Sequence, residues 1–270
     1  MIYETIRYTE DGRVHLQTYV PELFSIKGYA LPAMIVLPGG AWTHLSENES
    51  EAVALTYVRE GFASFILNYS VGDYSAFPNP LIEVAWAIAT IRQNAQKWHI
   101  DPNKIALVGF SAGASLAAIS ATQWIDPIIS ETLGIPKENY KPNAAILAYG
   151  CYDLATIFDN QEDDLVIPKP GKITADRTPQ VDVVNYVTKD TAPIFIYHCR
   201  YDEYVPVKNT WLLAEKLEEN KLPFEMHIFQ SGHHGMSVNN ELTVGKEPID
   251  PSVTQWVNLS IQWLKQLFQK

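Results

Sequence analysis

Residues 105–116 constrain the fold more than any other stretch, and they read Ile-Ala-Leu-Val-Gly-Phe-Ser-Ala-Gly-Ala-Ser-Leu. The first four residues form a short apolar run, which is typical of a strand buried on both faces of a parallel sheet. A sharp turn from strand to helix crowds the positions two before and two after the turn residue, and both are glycine here, Gly109 and Gly113. The pattern predicts a G-x-S-x-G turn that presents Ser111 at the C-terminal edge of a sheet.

The helix predicted to begin at Ala112 would direct its free amide groups and the positive end of its dipole at the Ser111 side chain. Negative charge that develops beside Ser111 would therefore be stabilised. The alternative is a tight turn with an inert serine, because a motif with three fixed positions also occurs by chance. The strand before the turn and the small-residue helix after it supply the context that the motif requires, so we favour a nucleophilic Ser111.

Strand-like and helix-like segments alternate along the rest of the chain. Residues 2–8 and 14–20 alternate apolar and polar side chains across Asp11-Gly12, which predicts an antiparallel edge pair. Ser46 to Glu49 fits a capping box at the start of a helix. The other predicted strands are 33–37, 63–67, 105–108, 144–148, 193–197 and 224–229, and the predicted helices are 51–60, 80–98, 207–220, 253–268 and one that begins at Ala112. This order predicts a single α/β domain over residues 1–270, a three-layer sandwich with a mostly parallel eight-stranded sheet and helices on both faces.

Residues 151–190 do not follow this alternation. They are rich in Asp, Pro and Lys and show little periodicity. A connection of this length is too long for a plain loop. We interpret the segment as a cap-like excursion over the edge that carries Ser111.

The composition of the chain narrows the kinds of partner that it can bind and the cellular compartment that it fits. The chain has 270 residues, enough for a large core. Its net charge of -11 argues against nucleic acid and anionic membranes as partners. The N-terminus lacks a signal pattern, no apolar run approaches a membrane span, and two cysteines are too few for a disulfide framework. A cytoplasmic location is the prediction, while the oligomeric state stays open and a homo-oligomer is compatible with the sequence.

Serine is a poor nucleophile until a base takes its proton, and after a turn of this kind the acid and the base follow the serine in chain order. Asp202 follows the predicted strand at 193–197 and so lies at the same sheet edge as Ser111. Glu203, its neighbour, and Asp153, which follows an earlier strand, remain alternatives for the acid.

Two adjacent histidines, His233 and His234, follow the last predicted strand in the sequence Ser-Gly-His-His-Gly. Neighbouring residues on an extended loop point in opposite directions, so only one of them can face Ser111. The other histidine would contact solvent or the 151–190 excursion.

The Ser111 turn, the Asp-Glu-Tyr-Val-Pro segment at 202–206 and the Gly-His-His-Gly segment at 232–235 together resemble the α/β-hydrolase fold. The Pro-Gly-Gly-Ala-Trp loop at 38–42, with Phe110 before the serine, is similar to small carboxylesterases, and most of all to bacterial acetyl and feruloyl esterases of the carbohydrate-esterase type. The resemblance covers nearly the whole chain. It departs where Leu37 replaces a frequent histidine, Ala41 a glycine, and Cys199 a glycine before the acid.

The resemblance implies a catalytic triad and an oxyanion hole built from backbone amides. Its triad would be Ser111 as nucleophile, Asp202 as acid and His234 as base, because the family places the base directly before a glycine. The oxyanion hole would consist of the amides of Ala112 and of Gly40 or Ala41. No metal or cofactor is implied.

The function predicted from this resemblance is a serine carboxylesterase that hydrolyses small-molecule esters with short acyl chains, such as acetylated sugars or xylan fragments. Trp42 and Phe110 are candidate substrate contacts, with plain packing as the alternative for Trp42. The competing hypotheses are a serine peptidase of the prolyl-oligopeptidase type and a binding protein that retains the fold without catalysis.

Overall fold

The computed structural model describes residues 1–22, 28–153 and 181–269. Eight strands form one sheet, and they are β1 (Thr5–Arg7), β2 (His15–Tyr19), β3 (Leu31–Leu37), β4 (Ala63–Asn68), β5 (Ile100–Phe110), β6 (Ala144–Ala148), β7 (Ile194–Cys199) and β8 (Phe224–Phe229). Their spatial order is β1-β2-β4-β3-β5-β6-β7-β8. β1 and β2 pair antiparallel at one edge, and all pairs from β4 to β8 are parallel. The predicted mostly parallel eight-stranded sheet is confirmed.

The described residues contain six α-helices, which cover both faces of the sheet. They are α1 (Glu51–Arg59), α2 (Asn79–Gln93), α3 (Ala112–Gln123), α4 (Pro127–Leu133), α5 (Lys208–Glu219) and α6 (Gln255–Leu267). Along β3, alternate residues enter two separate cores: Ile35 belongs to the core that includes residues of α2, α3 and α5, whereas Val36 belongs to the core that includes residues of α1 and α6. This period of two is what a strand covered on both faces requires, and it produces the three layers.

α3 lies directly behind the Ser111 turn and is buried along its whole length. It is built largely from Ala, Gly and Ser, whose small side chains allow the helix to approach the sheet closely. A helix that is apolar all round is stable only inside a core. The position of Ser111 is therefore fixed by two buried elements, β5 before it and α3 after it.

The predicted capping box at Ser46 is wrong. Ser46 makes no side-chain cap, and a short 3-10 turn over Glu47–Glu49 precedes α1. Glu49 turns into the interior instead, where its carboxylate accepts the backbone N–H of Gly39 at 2.8 Å. α4 was missed by the sequence analysis, although it carries an Asp126 cap and ends at Gly134 in the left-handed conformation.

The predicted excursion over residues 151–190 falls largely on residues 154–180, which lie outside the described residues. Its last part includes a 3-10 turn at Val183–Asn185 that packs against α5. Within the described ranges, none of the helices combines the length and apolar character needed to cross a membrane.

Candidate active site

Ser111 lies at the top of β5 in a strained turn. Its φ of 50° and ψ of -117° are rare for a residue with a side chain. Its N–H donates to the Ala148 carbonyl on the neighbouring strand at 2.9 Å. A Cβ at Gly109 would collide with the Gly113 carbonyl oxygen, and one at Gly113 with the Leu37 carbonyl oxygen. Both glycines are therefore required by backbone contacts.

The structure joins Ser111, His234 and Asp202 in one chain of hydrogen bonds. His234 Nε2 lies 2.9 Å from Ser111 Oγ, and His234 Nδ1 lies 2.8 Å from Asp202 Oδ2. An ionised carboxylate can only accept, so the imidazole proton resides on Nδ1 and Nε2 accepts from the serine hydroxyl. Asp202 holds this position, rather than the sequence alternatives Glu203 and Asp153.

The Asp202 side chain is completely buried. Its Oδ1 accepts the backbone N–H groups of Tyr204 and Val205 at 2.9 and 2.8 Å. Burial opposes ionisation, but the hydrogen bonds from His198 and His234 outweigh it and hold the pKa of Asp202 well below its usual range. Asp202 is therefore an anion throughout the neutral pH range.

His198 is a partner of Asp202 that the sequence analysis missed. His198 lies near the end of β7 and is fully buried. Its Nε2 lies 3.2 Å from Asp202 Oδ2 and 2.9 Å from the Val205 carbonyl oxygen. Both of these are acceptors, so Nε2 carries the proton, while Nδ1 lies 2.8 Å from Thr210 Oγ1. The available signal was its place four residues before the aspartate, at the end of β7.

The two adjacent histidines have different surroundings. The His234 ring lies between Tyr149 and Tyr204, with ring centroids 5.0 and 5.4 Å away. The His233 side chain is 48% exposed, and its Nε2 lies 3.0 Å from Glu247 Oε2. Partial burial opposes the charged form of His233, but the His234 carbonyl and the Glu247 carboxylate raise its pKa overall. The structure thus places His234, and not His233, against Ser111.

A cavity of about 320 Å³ opens beside Ser111. It brings together most of the residues proposed from the sequence, and its lining includes Gly40, Ala41, Trp42, Ser111, Ala112 and His234. Asp202 and Phe110 do not line it. Asp202 reaches the cavity only through His234. Phe110 is fully buried, with ring centroids 6.1 Å from Tyr149 and 5.9 Å from Trp256, so the structure does not support the predicted substrate contact.

The glycine loop, residues 38–42, forms the opposite wall of this cavity. Ala41 and Trp42 have φ angles of 51° and 63°, so two consecutive residues with side chains lie in the left-handed region. Glu49 holds the loop at the Gly39 amide and also lines the cavity. The sequence distinguishes Glu49 only as the capping-box partner of Ser46 and contains no signal for its contact with Gly39.

Cys151 also lines the cavity, and both it and Cys199 are free thiols. Burial raises the pKa of Cys151 to about 12, so its thiol stays protonated and is a poor nucleophile at neutral pH. Across the described ranges, no three His, Cys, Asp or Glu side chains cluster in a way that could hold a metal ion. The chemistry that the site offers is that of an activated serine hydroxyl.

Comparison with known proteins identifies the family to which this chain belongs. Residues 16–217 match the family model BD-FAE. The chain belongs to the BD-FAE family. Two curated relatives are Endo-1,4-beta-xylanase B of Butyrivibrio fibrisolvens, 28% identical over 229 residues, and the acetylxylan esterase of Xylanibacter ruminicola, 25% identical over 237 residues. The alignments cover 83% and 86% of this BD-FAE chain but only 36% and 45% of those relatives, so the chain spans less than half of their length.

Solved structures agree with the fold over the whole chain. MGS-M1, an α/β hydrolase from a Medee basin deep-sea metagenome library, has a TM-score of 0.79 at 29% identity and covers 100% of this chain and 99% of its own. An acetyl ester-xyloside bifunctional hydrolase from Caldicellulosiruptor lactoaceticus has a TM-score of 0.77 at 30% identity, covering 98% and 96%. The predicted α/β-hydrolase fold and the resemblance to bacterial carbohydrate esterases are confirmed.

Proposed function

We propose that this BD-FAE chain is a serine carboxylesterase that hydrolyses short-chain acyl esters, with acetylated sugars or xylan fragments as its substrate class. The observation that carries the proposal is the unbroken set of hydrogen bonds from Asp202 through His234 to Ser111, which opens into a cavity. Relatives named acetylxylan esterase and acetyl ester-xyloside hydrolase support the substrate class.

In the proposed mechanism, Ser111 Oγ attacks the ester carbonyl carbon while His234 Nε2 takes the hydroxyl proton. Asp202 accepts the Nδ1–H of the imidazolium and stabilises its charge. The carbonyl oxygen becomes an oxyanion, which would accept from the Ala112 amide and from Gly40 or Ala41. One such donor typically contributes ~2.7–4 kcal/mol to the transition state.

Collapse of the tetrahedral intermediate breaks the bond to the alcohol, and His234 returns the proton to the leaving oxygen. The acyl group remains on Ser111 as an ester. His234 then removes a proton from a water molecule that attacks this acyl-enzyme, and a second collapse releases the carboxylic acid and restores the serine hydroxyl. Each proton passes through the same nitrogen, Nε2.

The cavity favours short acyl groups. Its volume of about 320 Å³ is at the small end for ligand sites, and the Trp42 indole forms part of its wall. Acetyl to butyryl groups would fit such a space better than long chains. The intact triad geometry favours an enzyme over a binding protein that retains the fold. Two free thiols are compatible with a reducing compartment, and the cytoplasm remains our proposed location.

The test is a series of p-nitrophenyl esters from acetyl to decanoyl, with acetylated xylo-oligosaccharides measured in parallel, on the wild type and on Ser111→Ala. We expect a fall in kcat on the order of 10⁶ for the variant. Ser120→Ala is the matched control, because Ser120 is a buried serine on the same helix that does not line this cavity. Undiminished turnover in Ser111→Ala, or equal rates on decanoyl esters, would contradict the proposal.

A further inference from the structure

Glu49 is a buried carboxylate in the wall of the active-site cavity, with only 4% of its surface exposed. Its two oxygens have different partners. Oε2 accepts the Gly39 N–H at 2.8 Å, and Oε1 accepts the Tyr149 hydroxyl at 2.8 Å. A Cβ at Gly39 would lie 2.5 Å from Oε2 and 2.8 Å from the Phe110 carbonyl oxygen, so both the carboxylate and the backbone require glycine at this position. Burial raises the pKa of Glu49, which indicates that keeping an anion here opposes folding.

Gly39, the first partner of Glu49, belongs to the strained glycine loop. Residues in sparsely populated backbone regions persist only where their surroundings over-determine them. Other bonds also act on this loop. The Tyr69 hydroxyl donates to the Pro38 carbonyl at 2.5 Å, and the Gly72 N–H to the Trp42 carbonyl at 2.7 Å. The Ser46 N–H donates to the Gly39 carbonyl at 3.0 Å, and the N–H groups of Thr43 and His44 donate to the Gly40 carbonyl at 2.9 and 3.2 Å. These bonds act on carbonyl groups. Glu49 is the acceptor for an amide of the loop, so it fixes the peptide that precedes the Gly40 and Ala41 amides.

Tyr149, the second partner of Glu49, contacts the loop that carries His234. Its hydroxyl donates to Glu49 and accepts the Ser237 N–H at 2.9 Å, three residues beyond His234. The Tyr149 ring packs edge-on against the His234 imidazole. The carboxylate also faces the positive charge that the imidazole acquires when it takes the serine proton. Glu49 therefore contacts, through one intermediary on each side, both the oxyanion wall and the base.

We propose that Glu49 is a positioning residue that couples the oxyanion loop to the loop carrying the catalytic histidine. This inference rests on the proposed esterase function. Glu49 acts through Gly39 and Tyr149, because its two oxygens accept one donor each, whereas a glutamine would offer a single acceptor oxygen. Its contribution is expected in the transition state, where the oxyanion and the imidazolium are both present, and not in the binding of the ground-state ester.

Glu49→Gln tests the inference, because glutamine keeps the shape but can accept only one of the two donors. We expect kcat on p-nitrophenyl acetate to fall by ~10²–10³, the loss seen when one oxyanion donor is removed, with KM within about threefold. Butylboronic acid, which forms a tetrahedral adduct on a serine, should lose affinity in the same proportion. The thermal midpoint is the third measurement, since it reports a merely structural role.

Glu83→Gln is the matched control. Glu83 is equally buried, at 4% exposure, and its carboxylate likewise accepts two donors, the Ser70 N–H at 2.7 Å and the Ser70 hydroxyl. It does not line the active-site cavity. We expect its loss to shift the thermal midpoint at least as much as Glu49→Gln, with kcat and butylboronic acid affinity within about threefold of the wild type.

Tyr149→Phe completes the experiment and replaces Glu49→Gln should that variant not fold. It removes one donor to Glu49 and should lower kcat, and the double variant should lose less than the product of the single losses. An unchanged kcat in Glu49→Gln, a loss confined to KM, or independent effects of the two substitutions would overturn the inference. A wild type without turnover on every ester would overturn the proposed function as well, so the two failures are distinguishable.

Discussion

Two strained segments line the active-site cavity, and they are held in different ways. In the turn at 109–113, the strained residue Ser111 stands between two glycines whose missing side chains make room for the Gly113 and Leu37 carbonyl oxygens. In the glycine loop, Ala41 and Trp42 adopt left-handed angles although they carry side chains. Both segments have glycine where other atoms approach closely, since a Cβ at Gly40 would lie 2.2 Å from the His44 carbonyl oxygen, but only the loop holds two consecutive residues with side chains at left-handed angles.

This difference predicts which substitutions should damage each segment. The turn is enclosed by β5, α3 and the end of β3, so a change inside it meets rigid backbone. The loop is held by the side chains of Glu49 and Tyr69 and by backbone N–H groups that follow it in the chain, namely those of Thr43, His44, Ser46 and Gly72. Substitutions within the turn should damage the fold, and substitutions at the remote partners of the loop should damage the chemistry.

The largest expected effect is that of Gly113→Ala, since the new methyl group would collide with the Leu37 carbonyl oxygen. Inserting extra methylene-sized groups into a packed core usually lowers the free energy of unfolding by about 1–3 kcal/mol. Backbone atoms move less readily than side chains to relieve such a clash. We expect the free energy of unfolding to fall by about 3 kcal/mol or more, with loss of activity. Urea unfolding followed by circular dichroism measures it.

Gly134→Ala is the control for this prediction. Gly134 has a φ of 67°, and nothing lies within 4 Å of its added Cβ, so only the left-handed conformation is penalised. That penalty is about 1–2 kcal/mol. Equal destabilisation by the two substitutions would show that the turn is no more constrained than an exposed helix end.

His234→Ala should have the next largest effect, because it removes the base from the strained serine. We expect kcat to fall on the order of 10⁶ with a nearly unchanged thermal midpoint. His233→Ala should stay within about tenfold of wild type, since its ring contacts Glu247 at the surface. The measurement is kcat/KM on p-nitrophenyl acetate, and the reverse order of losses would assign the base to His233.

Asp202→Asn should lower kcat on the order of 10⁴, because an amide in place of the carboxylate favours the wrong imidazole tautomer. The pH dependence follows from the depressed pKa of Asp202 in the folded protein. Its ionised form contributes stability that is fully present above the unfolded pKa of ~3.9 and is lost as the pH falls through the folded pKa.

The wild type should therefore lose its stability advantage over Asp202→Asn only below about pH 4, where the unfolded carboxyl takes up a proton. Urea unfolding of both proteins between pH 7 and pH 3 measures this difference. An advantage that already disappears between pH 7 and pH 5 would show that a group other than Asp202 is responsible.

The smallest expected effect is that of Ala41→Gly, which relieves a left-handed residue in the glycine loop. The relief of 1–2 kcal/mol is partly offset by the greater freedom of glycine in the unfolded chain, so a net gain of up to about 1 kcal/mol is expected. Calorimetry measures it. A loss of stability would show that the Ala41 side chain contributes packing that outweighs its backbone strain.

Much of the fold was predictable because its signals are local. Buried parallel strands appear as short apolar runs, and six of the eight observed strands lie within two residues of the predicted positions at both ends, as Ala144–Ala148 and Phe224–Phe229 do without any shift. Helix ends were less predictable. The helix predicted over 80–98 ends at Gln93, and the predicted caps at Ser46 do not form.

The candidate site was predictable where a residue is fixed by its neighbours in the chain. Ser111, Asp202 and His234 each follow a predicted strand, and parallel strands bring their C-terminal ends to one edge. Phe110 was misassigned, because its neighbour Ser111 faces the cavity while the alternation of the strand turns Phe110 into the core. His198 was missed because its role depends on which side of β7 faces the aspartate.

The sequence by itself determined the strand–turn–helix unit around Ser111, since an apolar run, a glycine-flanked serine and a small-residue helix follow one another, and the crowding at Gly109 comes from Gly113 within the same turn. Only the tertiary structure decided the role of Glu49. Its partners Gly39 and Tyr149 lie 10 and 100 residues away along the chain, and the energetic meaning of a carboxylate depends on whether it is buried and on which donors surround it. From the sequence alone, an acidic residue near a helix start predicts a helix cap. In the folded protein the same residue is buried, and it accepts hydrogen bonds from Gly39 and Tyr149.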